Sequence, residues 1–128
     1  MAVQAIYNGV RMSPRKVDVV AALVRGRTVA DAIIILDHTP RRAALAVKKA
    51  VVSAGANAEH NHNYKPDTLF ISEISVTPGV RYRRYRAAAR GRALRFARST
   101  SQIRVLVDGQ QRELKKKVAT QPEKAEEK

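Results

Sequence analysis

The feature that most limits the fold of this chain is a run of arginines and aromatics at residues 81–98, which reads RYRRYRAAARGRALRFAR. This basic block contains eight arginines and three aromatic residues, and no acidic residue occurs between Glu73 and Asp108. Because no local acid neutralises these cations, the block repels itself when it is alone in water. It also sits between two strand-like runs instead of at a terminus. We therefore expect a projecting segment that needs a polyanion as its counterpart.

The residue types of the basic block indicate contact with nucleic acid. The planar guanidinium of arginine donates two hydrogen bonds to one phosphate and stacks on bases. Aromatic side chains interleaved with arginines offer faces on which unstacked bases can lie. The predicted phosphate-binding residues of the block are Arg81, Arg83, Arg84, Arg86, Arg90, Arg92, Arg95 and Arg98. The predicted base-stacking residues are Tyr82, Tyr85 and Phe96.

Two runs rich in β-branched residues flank the basic block and predict strands at residues 69–76 and 100–107. The residues expected on their buried faces are Phe70, Ile74 and Val76 in the first strand, and Ile103, Val105 and Val107 in the second. Both strands are expected to continue outward through the basic block as a hairpin with its tip near Tyr85. From Ser75 that tip would lie about 30 Å away at ~3.3 Å per residue.

The first half of the chain predicts an edge strand at residues 2–10 followed by three helices. Ser13 and Pro14 suit the cap and the first position of a helix that ends before Gly26. Thr28 suits the cap of a second helix that stops near residues 37–39. The third and longest helical pattern runs from residue 40 to about residue 59, and residues 56–63 are expected to form a polar loop. The residues expected on the buried faces are Val17, Val20, Ala21 and Val24, then Val29, Ala32, Ile33 and Leu36, then Ala44, Val47, Val51, Ala54 and Ala58.

Basic residues cluster at both ends of the first predicted helix. They are Arg11, Arg15, Lys16, Arg25 and Arg27. Cations in the first turn of a helix oppose the helix dipole, and an external anion would remove that conflict. We therefore predict a phosphate contact there. Further cations, which are Arg41, Arg42, Lys48 and Lys49, occupy the polar surface of the third helix.

The composition bounds the class of protein. The chain has 128 residues, a net charge of +14 and a pI of about 11.0, which favours one domain with a polyanionic partner. It contains no cysteine, so disulfides and thiolate metal sites are excluded. No apolar run approaches the ~20 residues that span a bilayer, and the N-terminus has no hydrophobic signal core. We expect a soluble protein without a membrane partner.

Several short motifs resemble the family of large-subunit ribosomal protein number twenty-two, in its bacterial type. They are Ser13-Pro14-Arg15-Lys16, Leu23-Val24-Arg25-Gly26-Arg27, Ala56-Asn57-Ala58-Glu59-His60-Asn61, Gly91-Arg92-Ala93 and Thr100-Ser101. They follow the family's order and spacing over roughly residues 5–107. The resemblance implies an α+β fold with three helices packed on a small three-stranded antiparallel sheet that carries a long protruding β-hairpin.

The resemblance also implies a structural role in the large ribosomal subunit, in the cytoplasm. In that role the chain would bind large-subunit ribosomal RNA, support assembly, and line the nascent-peptide exit tunnel with its hairpin. The implied neighbours are the nascent peptide and other ribosomal proteins, including large-subunit protein number four. The implied tunnel-lining residues are Arg84, Tyr85, Arg86, Ala87, Ala88, Ala89 and Arg90. The RNA-binding residues expected outside the basic block are Arg11, Ser13, Arg15, Lys16, Arg25, Arg27, Lys48, Lys49, Asn57, His60 and Asn61.

We expect residues 1–112 to form a single globular RNA-binding domain in which residues 77–99 are an extended basic β-hairpin. Residues 113–128 include three consecutive lysines and few apolar residues, and they predict a disordered charged tail.

Three other functions fit the sequence less well. The only candidate metal or catalytic cluster is Glu59-His60-Asn61-His62 with His38, and it lacks a third ligand at a suitable spacing, so neither an enzyme nor a metal or cofactor site is predicted. An architectural DNA-binding protein would fit the charge, but arginines mixed with aromatics suit irregular single-stranded RNA better than a duplex. A membrane-active segment would need a continuous apolar face, which the basic block lacks.

Overall fold

The structure is a computed structural model that describes residues 2–112. Three helices pack on one face of a three-stranded antiparallel sheet, and two of the strands extend far beyond the helices as a hairpin. This confirms the predicted α+β class. The elements are β1 (Val3–Val10), α1 (Pro14–Val24), α2 (Val29–His38), α3 (Arg42–His62), β2 (Phe70–Ala87) and β3 (Ala93–Asp108), with short 3-10 turns at Pro66–Thr68 and Ala89–Gly91. The tail predicted at residues 113–128 lies outside the described residues.

The last strand along the chain is the centre of the sheet, because the strand order is β1-β3-β2. Ile103, Val105 and Val107 of β3 are fully buried, as their alternation predicts. They pack under the helices together with buried residues of β1, of the first part of β2 and of all three helices. The core therefore lies between the helical layer and one face of the sheet.

The first two helices, α1 and α2, begin and end where the sequence predicts. α1 buries Val17, Val20, Ala21 and Val24, the face that its apolar spacing predicts. Thr28 caps α2, since its Oγ1 accepts a hydrogen bond from the Asp31 N–H at 3.2 Å. Ser13 occupies the cap position of α1 but makes no side-chain cap hydrogen bond.

α3 is longer at its C-terminal end than the sequence indicates, and the loop predicted at residues 56–63 is wrong. The helix continues through His62, and Asn63 ends it in the left-handed conformation. The backbone N–H groups of Asn63 and Tyr64 both donate to the Ala58 carbonyl. Tyr64 is buried, with 1% of its surface exposed. Burial of Ala58 and Tyr64 stabilises the last turn in spite of its polar sequence, whose intrinsic helix propensity is low.

The start of β2 departs from simple alternation, so the prediction that Phe70 faces the core is wrong. Phe70 is 44% exposed, whereas Ile71 and Ile74 are buried and Val76 is half-buried. The cause is a register shift: Ile71 pairs with Val107 and Glu73 with Leu106, so Ser72 is an extra residue on β2. Such a β-bulge moves the side chains before it to the other face of the sheet.

β2 is an edge strand of the sheet, and the connection between α1 and α2 forms hydrogen bonds with its outer side. Gly26 N–H donates to the Ile71 carbonyl at 3.2 Å, and Ile71 N–H donates to the Arg27 carbonyl at 2.9 Å. Val29 N–H donates to the Leu69 carbonyl at 3.0 Å. These bonds satisfy backbone groups that would otherwise be a template for pairing with another chain.

We predict that the core folds without the outer part of the hairpin. Replacing residues 82–98 with Asn-Gly joins Arg81 to Ser99, which already face each other, through a turn suited to a tight hairpin. Of the replaced residues only Ala88 and Phe96 are even half-buried, so little apolar burial is lost. We expect a single cooperative thermal transition with a Tm within about 5 °C of the full chain.

The control for this experiment is Ile103→Ala in the full chain. Ile103 has no exposed surface, and truncation of such a side chain costs about 2–5 kcal/mol, so its Tm should fall far more. Loss of the cooperative transition in the shortened chain would show that the core extends into the hairpin.

Candidate nucleic-acid interface

The basic block forms an exposed two-stranded arm, which we define as residues 81–99. Its strands pair without interruption from Arg81 with Ser99 to Ala87 with Ala93. The side chains from Arg81 to Ala87 are all exposed. The arm is therefore held by its own backbone ladder and by the continuation of both strands into the body.

The tip lies further along the chain than predicted. Tyr85 pairs with Arg95 within the arm, and the turn is formed by residues 88–92, so placing the tip near Tyr85 was wrong. Arg90 and Gly91 take the left-handed conformation, with φ of 58° and 70°. Ala88 N–H donates to the Arg92 carbonyl at 2.8 Å and closes the turn. Glycine adopts this conformation at no steric cost, which favours the reversal of the chain at Gly91 over one at Tyr85.

Strand pairing sorts the arm's side chains onto two faces. One face carries Tyr82, Arg84, Arg86, Leu94, Phe96 and Arg98. The opposite face carries Arg81, Arg83, Tyr85 and Arg95, together with the small residues Ala87, Ala93, Ala97 and Ser99. Both faces thus combine cations with aromatic rings.

Each of the three predicted stacking rings is already in contact with a guanidinium. Phe96 lies between Arg86 and Arg98, whose Cζ atoms are 5.8 and 5.5 Å from the ring centroid. Arg84 lies 5.9 Å from the ring of Tyr82, and Arg95 lies 6.0 Å from the ring of Tyr85. Attraction between cation and ring offsets part of the repulsion among the arginines. It also holds the guanidinium groups near the arm, where their N–H groups remain available to phosphate.

A cationic cleft lies where the arm meets the body. β1 ends at Val10, which pairs with Ser101, so β3 has only β2 as a neighbour before that point. The resulting cleft has a volume of about 840 Å³. Its lining includes Arg11, Ser13, Lys16, Arg42, Tyr82 and Arg98. The structure thus brings five residues of the predicted interface together, and it adds Arg42.

The N-termini of α1 and α3 both open at this cleft. Neither helix has an acidic residue in its first turn or a side-chain cap, whereas α2, which starts elsewhere, has both. Unpaired N–H groups and the positive end of the helix dipole favour an anion at such a position. Their effect adds to that of the four cationic side chains in the lining.

The joint between arm and body is tightly packed. The strands shift register between Pro78 and Arg81, and Thr100 Oγ1 donates to the Val80 carbonyl at 2.7 Å. A Cβ at Gly79 would lie 2.6 Å from Thr100 Oγ1, so only glycine fits there. The close approach of the two strands at the base of the arm therefore requires glycine at position 79.

In the body, three of the predicted RNA-binding residues make side-chain contacts with other parts of the protein. Arg25 Nη2 donates to the Ile74 carbonyl at 3.2 Å and lies 3.8 Å from Asp18. Lys48 forms an ion pair with Asp37, and Asn57 Nδ2 contacts the Gln4 carbonyl at 3.5 Å. These contacts tie helices to strands and to one another, so they supply a structural role for residues that the sequence assigned to RNA alone.

The remaining predicted residues of the body are exposed but lie outside the cleft. They are Arg15, Arg27, Lys49, His60 and Asn61. His60 and Asn61 occupy the last turn of α3, about 27 Å along the helix from Arg42 at ~1.5 Å per residue. Their role in RNA binding stays a prediction.

The acidic residues of the body are kept away from the arm and the cleft. Asp18, Asp37 and Glu59 form ion pairs with Arg25, Lys48 and Arg112. Within residues 2–112 no acid lines the cleft, and the arm contains none. The molecule therefore presents one strongly cationic side.

Other kinds of site find little support in the part of the chain that the structure describes. No three His, Cys, Asp or Glu side chains in residues 2–112 come close enough to hold a metal ion. His60 and His62 lie two residues apart on a helix, where side chains point to different sides. None of the described helices is both long enough and apolar enough to pass through a bilayer.

Comparison with known proteins gives a consistent result. The family model described as ribosomal protein L22p/L17e matches residues 5–108. Large ribosomal subunit protein uL22 of Oceanobacillus iheyensis is 47% identical over 107 residues, which cover 84% of this chain and 95% of that protein. The proteins of the same name from Clostridium tetani and Herpetosiphon aurantiacus are 45% and 43% identical, over 84% of this chain and 96% of each relative. The matched region extends from β1 to the end of β3 and includes the arm.

We predict that Phe96→Leu loosens the arm without affecting the body. The substitution keeps an apolar side chain but removes the ring that Arg86 and Arg98 contact, and each such pair contributes about 0.5–1 kcal/mol at an exposed site. Backbone amides in residues 82–98 should exchange several-fold faster with solvent deuterium, while those of Ile103 and Val105 keep their protection.

Leu94→Ala is the matched control, because Leu94 lies on the same face of the arm and is 60% exposed. Equal acceleration of exchange in the two variants would show that the arginine–ring contacts do not hold the arm.

Proposed function

The chain belongs to the ribosomal protein L22p/L17e family, and on this premise we propose that it binds ribosomal RNA through its arm and the cleft at the arm's base. Proteins of this family are structural constituents of the large ribosomal subunit and are not enzymes. In bacteria they are bound to ribosomes in the cytoplasm. What we propose beyond this is which surfaces of the chain do the binding.

The observation that carries the proposal is the separation of charge. The arm holds eight arginines and no acid, and the cleft adds Arg11, Lys16 and Arg42 beside two uncapped helix N-termini. A polyanion placed against this side neutralises repulsion that the protein cannot neutralise by itself. Phosphates of RNA provide that charge, and the aromatic rings and guanidinium planes of the arm suit unpaired bases.

We further propose that the outer end of the arm lines the nascent-peptide exit tunnel, beside large-subunit protein number four. The residues assigned to this role are Arg84, Tyr85, Arg86, Ala87, Ala88, Ala89 and Arg90. The first four lie on β2, and the rest lie in the turn and its entry. Six residue steps from Arg81 to Ala87 carry the turn about 20 Å beyond the joint at ~3.3 Å per residue. The small side chains of the three alanines keep the outer end of the hairpin slim, so that it would leave room for a peptide passing along the tunnel wall.

The first prediction is that the chain binds structured large-subunit RNA with a steep dependence on salt. If six to ten phosphates are neutralised, the slope of log affinity against log salt concentration should be roughly −4 to −7. Filter binding or fluorescence anisotropy between 0.05 and 0.3 M salt would measure it, with duplex DNA of equal length as competitor. A slope near zero, or equal affinity for the DNA, contradicts a specific role in binding ribosomal RNA.

The second prediction distinguishes a role of the outer arm in subunit assembly from a role in lining the exit tunnel. Deleting Arg86 and Ala87 together with Ala93 and Leu94 removes two facing pairs and keeps both the turn and the alternation of the arm. Because the inner arginines and the cleft remain, we expect the shortened chain to enter large subunits at near wild-type levels. We also expect a change in the stalling of nascent chains that depend on the tunnel wall.

The measurement is quantitation of the variant in purified subunits beside a stalling reporter. The control replaces Ala87, Ala88 and Ala89 with serine, which keeps the length of the arm. Absence of the shortened chain from the subunits would make the outer arm an assembly anchor and contradict the tunnel assignment.

A further inference from the structure

A second concave surface of the body adjoins the cleft. This groove has a volume of about 270 Å³ and lies between the end of β1 and the first half of α3. It is lined by Tyr7, Leu45 and Lys49, and it shares Arg11, Met12 and Arg42 with the cleft. The cleft and the groove adjoin at these three shared residues, and we refer to the two together as the depression.

The charged side chains that line this depression are all cationic. Arg11, Lys16, Arg42, Lys49 and Arg98 come from four parts of the chain, and none of the described acids lines either part. Convergence of cations from separate elements, without acids, is a cost to the free protein that a bound anion removes. The positive ends of the α1 and α3 dipoles lie at the same place, and neither N-terminus has a side-chain cap or an acidic residue in its first turn.

Each of the two parts of the depression is lined by an exposed tyrosine. Tyr82 lines the cleft and is 46% exposed, and Tyr7 lines the groove and is 36% exposed. Tyr7 belongs to the edge strand β1, so its ring is supported by backbone pairing with Ile103. Met12 contributes apolar surface between the two rings, since it lines both parts.

We infer that Tyr7, Arg11, Lys16, Arg42 and Tyr82 form a continuous track that holds an unpaired RNA strand against the body of the protein. The two arginines contact successive phosphates, and the tyrosines stack on bases at either end. Single-strand sites combine these two features, a cationic groove and aromatic platforms. An acidic peptide would satisfy the cations but would leave both rings without a planar partner. A duplex would present its phosphates but would keep its bases away from the rings.

The inference rests on the proposed function, because it names the form of RNA that the body binds. It extends that function to Tyr7 and Arg42, which motif and charge analysis did not assign. It also separates the body from the arm, since Tyr7, Arg11 and Arg42 lie outside the arm.

The first test compares two variants of the full chain that lose the same charge. Arg11→Gln with Arg42→Gln removes the two cations shared by cleft and groove. Lys65→Gln with Arg104→Gln removes two exposed cations elsewhere on the body. The probe is a ten-nucleotide oligouridine with a fluorescent label. Each lost phosphate contact lowers the salt slope by about 0.7, so the first variant should lose about 1.4 and the control much less.

The second test asks whether bases stack on the rings. Tyr7→Leu should weaken binding of oligouridine about tenfold and leave binding of an abasic strand of equal length unchanged. Phe70→Leu is the control, because Phe70 is an exposed aromatic residue that lines neither the cleft nor the groove, and it should leave oligouridine binding unchanged. Thermal melts of all variants establish that each one is folded.

The outcomes distinguish this inference from the proposed function. If the full chain binds large-subunit RNA but both charge variants lose equal slope, the track is wrong and the proposed function stands. Equal loss of oligouridine and abasic binding in Tyr7→Leu, or equal dependence of a ten-base-pair RNA duplex on Arg11 and Arg42, also overturns the track. If the unaltered chain fails to bind large-subunit RNA, the proposed function itself fails.

Discussion

The backbone ladder between β2 and β3 is the constraint on which the rest of the molecule depends. In the body, β3 is held on both sides, and its partners on β2 include the buried Ile71 and Ile74. In the arm, the same two strands have only each other. An isolated hairpin is marginally stable in water. The arm keeps its register because the core fixes the strands that form it, so burial in one part of the ladder orders exposed residues in the other.

The positive charge of the chain is the second constraint. The protein keeps its acidic residues outside the arm, instead of pairing each arginine of the arm with a nearby acid. The body pairs several of its acids with its own lysines and arginines, as Asp37 does with Lys48 and Glu59 with Arg112. The arm has no acids, and four of its eight arginines lie over aromatic rings instead. Cation–ring contacts reduce repulsion without cancelling the charge. The free protein can therefore hold an ordered cationic surface that remains available to an external anion.

Sequence patterns predicted most of this fold because the core follows simple periods. The helical stripes that contain Val20, Val47 and Ala54 are buried as expected, and so is alternate spacing in β3. The errors occur where one residue breaks the period or where tertiary burial outweighs local propensity. The extra Ser72 turned Phe70 outward, and burial of Tyr64 extended α3 through residues expected to form a loop.

The site was predictable in its residue types but not in its arrangement. The arginines and rings of the basic block are evident in the sequence, yet their contacts across the arm depend on the strand register. It places Phe96 opposite Arg84 and diagonal to Arg86, while Arg98 lies two residues further along the same strand. The cleft depends on a topology in which the first strand ends beside the last. No local pattern reveals that Arg42 and Tyr82, forty residues apart in the chain, line the same surface.

The joint at Gly79 and Thr100 has a mechanical consequence. A close packed contact and a side-chain hydrogen bond at the root of the arm leave little freedom to bend there. The direction in which the arm leaves the body is therefore set at this joint. A change of a few degrees in that direction displaces the tip by an amount that grows with the distance between the tip and the joint. The position of the tip thus depends on a glycine and a threonine at the opposite end of the arm.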